Sequence, residues 1–227
     1  YPELLKIVEK KVKPIRDKLK DNSDGRRRKK FWWQFGRSTP ALDEIMQKSE
    51  SNNVLVVAQT SKYKAFVLMD KKIIFDQKLC VMPFYSFAQF ACLQSSLHIN
   101  WSLLFGGSMG DTPVYNPSDC FVNYPFPDLG GSSKNSLDNI GKLYYDFRFD
   151  LMKREDQGIT IIYNRFNSPK EDSLIFNEFR NLKRKLDYSV ISVYGWEEFL
   201  NEPYGFNIDY LEEDVNDVQS DQDSSII

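Results

Sequence analysis

The sequence predicts an α+β chain, a small, mostly antiparallel sheet packed on helices and followed by a helical C-terminal domain. Three observations carry that expectation. Apolar residues recur at helical spacing over residues 2–20, 86–105 and 137–155 and again after Ser168. Between residues 54 and 82 they fall instead into short runs separated by polar turns. Hydrophobic residues make up 41% of the 227 and aromatics 15%, which is enough to bury a core. The expected division is residues 1–130, residues 131–200, and an acidic tail, 201–227, whose composition predicts disorder.

Taken in order, Leu4, Val8, Val12, Ile15 and Leu19 share one helical face. Pro14 lacks a donor and clashes with the preceding turn, so a break is expected near Lys13. Asp21–Gly25 reads as a loop. Arg26-Arg27-Arg28-Lys29-Lys30 follows, and then Phe31-Trp32-Trp33. The runs Val54–Val57, Ala65–Met69, Ile73–Phe75 and Leu79–Met82 are expected strands, and Ser61-Lys62-Tyr63-Lys64 joins the first two. Residues 86–105 read as one buried helix ended by Gly106-Gly107, and residues 111–131, rich in Pro, Gly and Asn, as irregular. Leu137, Ile140, Tyr144, Phe147 and Leu151 predict an amphipathic helix over 137–155. Ser168-Pro169-Lys170-Glu171 has the form of a capping box with proline in the first helical position, opening a helix that Gly195 stops.

Net charge is −2, but its distribution is uneven. Residues 1–40 hold thirteen Lys or Arg against five Asp or Glu, whereas residues 209–227 hold seven acidic residues and no basic one. A basic end points to an anionic partner, nucleic acid being the commonest, or to a solvated helix face. Arg26, Arg27, Arg28, Lys29 and Lys30 suit phosphate neutralisation. Trp32 and Trp33 suit either anchoring of the sheet or stacking on an unpaired base. Ser61, Lys62 and Lys64 form a basic loop on a rigid sheet, where recognition residues gather, or a solubilising turn.

No catalytic set assembles. His98 is the single histidine, and it has no acidic or cysteine neighbour in sequence. Cys80, Cys92 and Cys120 are too sparse for a disulfide framework or a zinc site, which fits a reducing, cytoplasmic setting. Asn116-Pro117-Ser118-Asp119 departs from the Asn-Pro-Pro-Tyr of amino-methyltransferases by lacking the stacking aromatic. Gly106–Gly110 follows a helix rather than a strand, so it is no cofactor loop. Glu9-Lys10-Lys11 lacks the preceding Asp of a nuclease. No apolar run spans a bilayer, and no signal peptide opens the chain. The chain begins at Tyr1 without Met, so an excised fragment is expected.

Six segments in order resemble a family: YPELLKIVEKKVKPIRDKL, RRRKKFWWQFGRSTP, VLVVAQTSKYKAFVLM, FAQFACLQSSLHINW, DTPVYNPSDCFVNYPFP and GITIIYNRFN with LDYSVISVYGW. Together they look like the region that follows the methyltransferase domain in large adenine-specific DNA methyltransferases, MmeI-like restriction–modification fusions and phage-exclusion methyltransferases. The resemblance runs from about Tyr1 to Phe199. It implies a non-catalytic, sequence-specific target-recognition domain over the first 130 residues, followed by a helical domain. The implied partners are duplex DNA and the methyltransferase domain of the same parent chain. The parent would transfer a methyl group from S-adenosylmethionine to adenine N6 and in many cases also cleave DNA, with both active sites preceding Tyr1. No cofactor is expected in this segment, and Arg26–Lys30, Arg37, Ser61, Lys62 and Lys64 are the expected DNA contacts. A scaffold module that docks through its basic N-terminal end onto an acidic protein is the alternative.

Overall fold

The computed structural model describes residues 1–35, 39–83 and 86–200. The chain divides into two compact units, Tyr1–Lys48 and Ser49 onward.

The first unit is helical. α1 (Pro2–Lys11) and α2 (Lys13–Asp17) are separated at Val12, where Pro14 withholds a donor, as its position predicts. The Asp21–Gly25 segment is only partly a loop. Asn22 caps α3 (Ser23–Lys30) by accepting the Gly25 N–H at 2.7 Å, so the basic run is helical. Gly25 is required there, because a Cβ would lie 1.9 Å from the Lys20 carbonyl. α4 (Pro40–Lys48) ends the unit. Among its described residues only Gly25 is buried.

The second unit holds the core. β1 (Asn53–Ala58) is the centre of an antiparallel sheet, with β2 (Val67–Asp70) on one side and β3 (Leu79–Met82) on the other. Val54 to Val57 are all buried, which is why that run is continuously apolar instead of alternating. Leu55 lies opposite both Leu68 and Met82. Ile73–Phe75, an expected strand, is a turn in which Ile73 and Ile74 are exposed.

The expected 86–105 helix is two. α5 (Phe87–Gln94) stops at Ser95, whose extended backbone and Oγ cap α6 (Ser96–Phe105). Residues 111–131 are more regular than their composition suggests. β4 (Gly107–Met109) and β5 (Thr112–Val114) form a hairpin, and Pro117–Val122 is a π-helical turn opened by the Asn116 side chain.

α7 (Gly131–Glu155) begins six residues before the expected helix and crosses α5 where it carries Gly141. α8 (Ile159–Phe166) was not expected. α9 (Leu174–Val193) begins after Ser173, which holds the N-cap position without a side-chain cap bond, and not after Ser168. Residues 168–172 instead wrap the Arg180 guanidinium, which takes the Ser168 carbonyl at 3.1 Å and the Glu171 carbonyl at 2.7 Å. Glu171, the supposed capping-box partner, accepts Arg165 Nε at 2.7 Å. Gly195, at φ +71°, lies two residues past Val193 and ends α9.

One hydrophobic core runs from Leu55 and Phe66 through Phe90 and Leu93 to Leu137, Tyr144, Phe179 and Val190. It crosses residue 130, so the C-terminal helices share the sheet's core instead of forming a body of their own. The acidic tail and Arg37 lie outside the described residues.

Candidate nucleic-acid interface

In the first unit the candidate surface is α3. Arg26, Arg27 and Lys30 fall within about 100° of one another around the helix and all three are exposed. Arg28 and Lys29 are half-buried. Arg28 pairs with Asp24 at 3.0 Å, one turn back, and Arg26 donates to the Asp21 carbonyl at 3.0 Å. The predicted five-residue cluster therefore presents three outward cations, with Arg28 committed to its own helix. Four of the five cations occupy the last turn, where the helix dipole favours them.

The helix runs straight into the aromatic segment. Arg16 of α2 donates to the carbonyls of Phe31 and Gln34, which fixes the turn between them. Trp33 packs edge-on against Phe31 (5.9 Å) and Trp32 (5.7 Å). Lys13 sits 5.1 Å from the Trp32 ring centre and Lys30 5.3 Å from that of Phe31. The tryptophans thus belong to the helical N-terminal unit, and Trp33 remains 51% exposed.

In the second unit the Ser61–Lys64 loop divides into an outward and an inward half. Lys62 is exposed, with its ammonium 4.9 Å from the Tyr63 ring centre. Ser61 is half-buried and its N–H donates to the Pro113 carbonyl at 3.4 Å. Lys64 corrects the expectation of a DNA contact. It is 3% exposed, and its ammonium donates to the carbonyls of Gln59 (3.3 Å), Ser61 (3.1 Å) and Pro113 (2.8 Å). Burial holds its pKa below the usual lysine value. Its role is to brace the loop against β5, because an ammonium with all three protons committed to carbonyls has none left for a phosphate.

The groups that hold this loop are ones sequence reasoning missed. Arg148 of α7 is fully buried and donates to the Phe66 carbonyl, to Gln94 Oε1 (3.1 Å) and to the Tyr163 hydroxyl (3.2 Å). Its guanidinium lies against the rings of Phe90, Tyr144 and Tyr145. Gln94 accepts the Phe66 N–H at 3.0 Å and donates to the Lys64 carbonyl at 3.2 Å, pairing with the loop backbone as a strand would. Tyr63 stacks on Tyr163 and donates to Asn164 at 3.0 Å. A signal for Arg148 did exist: it is in phase with Leu137, Tyr144 and Leu151 on the apolar face of α7. Lys183 and Asp187 carry the same signal on α9. That buried pair (2.7 Å) also receives Ser96, with Asp187 accepting its N–H at 2.7 Å and its hydroxyl at 2.8 Å.

Two of the segments that carried the resemblance, the one with His98 and Trp101 and the one with Tyr115 to Phe126, meet in one aromatic cluster. His98 is fully buried, its Nε2 lies 2.9 Å from the Tyr115 hydroxyl, and its ring meets Tyr124 edge-on at 4.5 Å with Phe126 beyond. Its Nδ1 has no hydrogen-bond partner among the described residues, and burial pushes its pKa down to about 3. The ring is therefore a neutral core group, more deeply buried than the half-buried histidine its sequence context suggests. Among the described residues no three His, Cys, Asp or Glu side chains gather as a metal site, and no helix is long and apolar enough to cross a membrane.

Residues 5–128 match the family described as MmeI, target recognition domain. No curated protein and no solved structure matched the chain.

Proposed function

The chain belongs to the MmeI target-recognition-domain family over residues 5–128, and from that premise we propose that it reads duplex DNA by sequence within a restriction–modification enzyme. The family match is the observation that carries the reading; α3 and the Lys62 loop supply its chemistry. Arg26, Arg27 and Lys30 neutralise phosphates and fix register, a contribution that is independent of sequence. Lys62 approaches the duplex from a loop held rigid by Lys64, Gln94 and Arg148, which serves recognition because a preorganised loop loses little freedom on binding.

A target-recognition domain is a non-catalytic module. The parent is an S-adenosylmethionine-dependent adenine-N6 methyltransferase that acts in defence against phage, and the helices α7 to α9 brace its methyltransferase domain. The segment itself binds no S-adenosylmethionine, and saturable micromolar heat of binding in a calorimetric titration would overturn that.

Selection from a pool of duplexes with a randomised centre tests the reading. The expected result is enrichment of one sequence in the presence of heparin, a polyanion without bases. A pool that stays random, with heparin and duplex bound alike, would reject sequence reading in favour of a basic end that docks onto any acidic partner.

A further inference from the structure

We propose that the exposed indole of Trp33 is a stacking platform for an unpaired base, so that the N-terminal unit binds single-stranded or locally opened DNA as well as duplex. The proposal rests on the DNA reading above and extends it to a second form of the ligand.

Three observations point to it. First, Trp33 and Phe35 are 51% and 71% exposed, immediately after the outward cations of α3. Burial of either side chain on folding would have been favourable, yet neither is buried. Second, the segment is tied down by its contacts. Arg16 holds the carbonyls of Phe31 and Gln34, the Gln34 N–H returns to the Phe31 carbonyl at 3.0 Å, and two perpendicular rings buttress the indole. A ring whose orientation is already fixed gives up little entropy on binding. Third, the unit carries fourteen Lys or Arg against seven Asp or Glu.

The charge decides between occupants. A partner that covers flat aromatic surface and also neutralises adjacent cations must be anionic and carry planar rings at short spacing, which describes a nucleic acid strand. A wholly apolar partner would cover Trp33 but gain nothing from the α3 cations beside it. Within a duplex both faces of each base are already stacked, so the indole gains a full ring contact only from a base that has left the stack.

The test uses the full chain, two single strands of about twelve phosphates each, which is within the site size of a single-strand binder, and a duplex of about twenty base pairs. One single strand is oligothymidylate and the other is the same backbone without bases; affinities are read by fluorescence anisotropy. Wild type is expected to prefer oligothymidylate over the abasic strand by about 5- to 150-fold. Trp33→Ala should abolish that preference while leaving duplex affinity unchanged, and Trp33→Phe should keep most of it. Equal affinity of wild type for the two single strands, a preference that survives in Trp33→Ala, or a loss in Trp33→Ala that is equal for all three ligands would each overturn the proposal. If duplex still binds with steep salt dependence when the preference is absent, only the stacking proposal falls. If duplex does not bind either, the DNA reading falls with it.

Discussion

The histidine and arginine in the core of the second unit set how its stability responds to change. His98 is neutral in the fold, with its pKa pushed down to about 3. The unfolded chain takes up a proton near the ordinary value of about 6.5, and the folded chain refuses it. Stability should therefore fall as pH drops below about 6.5 and level off near pH 3, where the folded imidazole also titrates. At pH 5 the loss is about 2 kcal/mol. Urea unfolding of wild type and His98→Gln at pH 7 and pH 5 measures it, and the acid loss should shrink in the variant. An equal loss in both would place it in other groups. Arg148→Ala should cost about 3–5 kcal/mol, since it takes the buried donor from the Phe66 carbonyl, removes one partner each from Gln94 and Tyr163, and leaves a cavity. Denaturation midpoints check this, and a cost below about 1 kcal/mol would mean that water replaces the guanidinium.

Among the elements, close approaches decide where helices run and what they present. α7 crosses α5 at Gly141, where a Cβ would meet the Phe87 carbonyl at 2.3 Å and the Ala91 Cβ at 3.3 Å. Gly141→Ala gains about 1 kcal/mol of helix propensity, but overpacking costs about 1–3 kcal/mol and falls here on backbone, which cannot swing aside. The expected outcome is net destabilisation, read as a lower melting temperature; a higher one would show that the helices part freely. α3 gives the second prediction at this scale. Replacing Arg26, Arg27 and Lys30 with alanine should lower the slope of log affinity against log salt by about 0.9 for each phosphate that is no longer neutralised. Arg28→Ala, which removes a side chain paired with Asp24, should leave the slope nearly unchanged. Titrations of duplex at several salt concentrations separate the two variants, and equal effects would contradict the facing of the helix.

Over the whole molecule, charge is segregated along the chain. Residues 1–48 hold twice as many basic as acidic residues, and residues 209–227 hold seven acidic residues and no basic ones. A tethered anion lowers the effective potential felt by an approaching duplex within about a Debye length, some 10 Å at 0.1 M salt. Deleting residues 209–227 should therefore raise non-specific duplex affinity, most at low salt and little at high salt. Unchanged affinity at low salt would mean the tail's charges act nowhere near the bound duplex.

Local pattern alone placed a small antiparallel sheet, though with Ile73–Phe75 as a strand too many, together with the break at Pro14, the amphipathic helices and the stop at Gly195. Each of these follows from periodicity or from a backbone restriction that a few neighbouring residues impose. The motif order placed the family as well, and two of its segments are neighbours in the fold, where His98, Trp101, Tyr115, Tyr124 and Phe126 pack together. Long-range partners decided the rest. Lys64 and Lys62 are alike in a polar loop of sequence, and one of them turns inward onto the carbonyls of Gln59, Ser61 and Pro113, the last forty-nine residues away. Ser168–Glu171 has the form of a cap, but Arg180 takes its carbonyls and Arg165 its carboxylate, and the helix waits for Ser173. A helix cap is a weak local preference of about 1 kcal/mol, and a buried guanidinium that needs several acceptors outweighs it. Sequence names the candidate donors and acceptors, and tertiary structure decides which of them are spent inside the fold and which face a ligand.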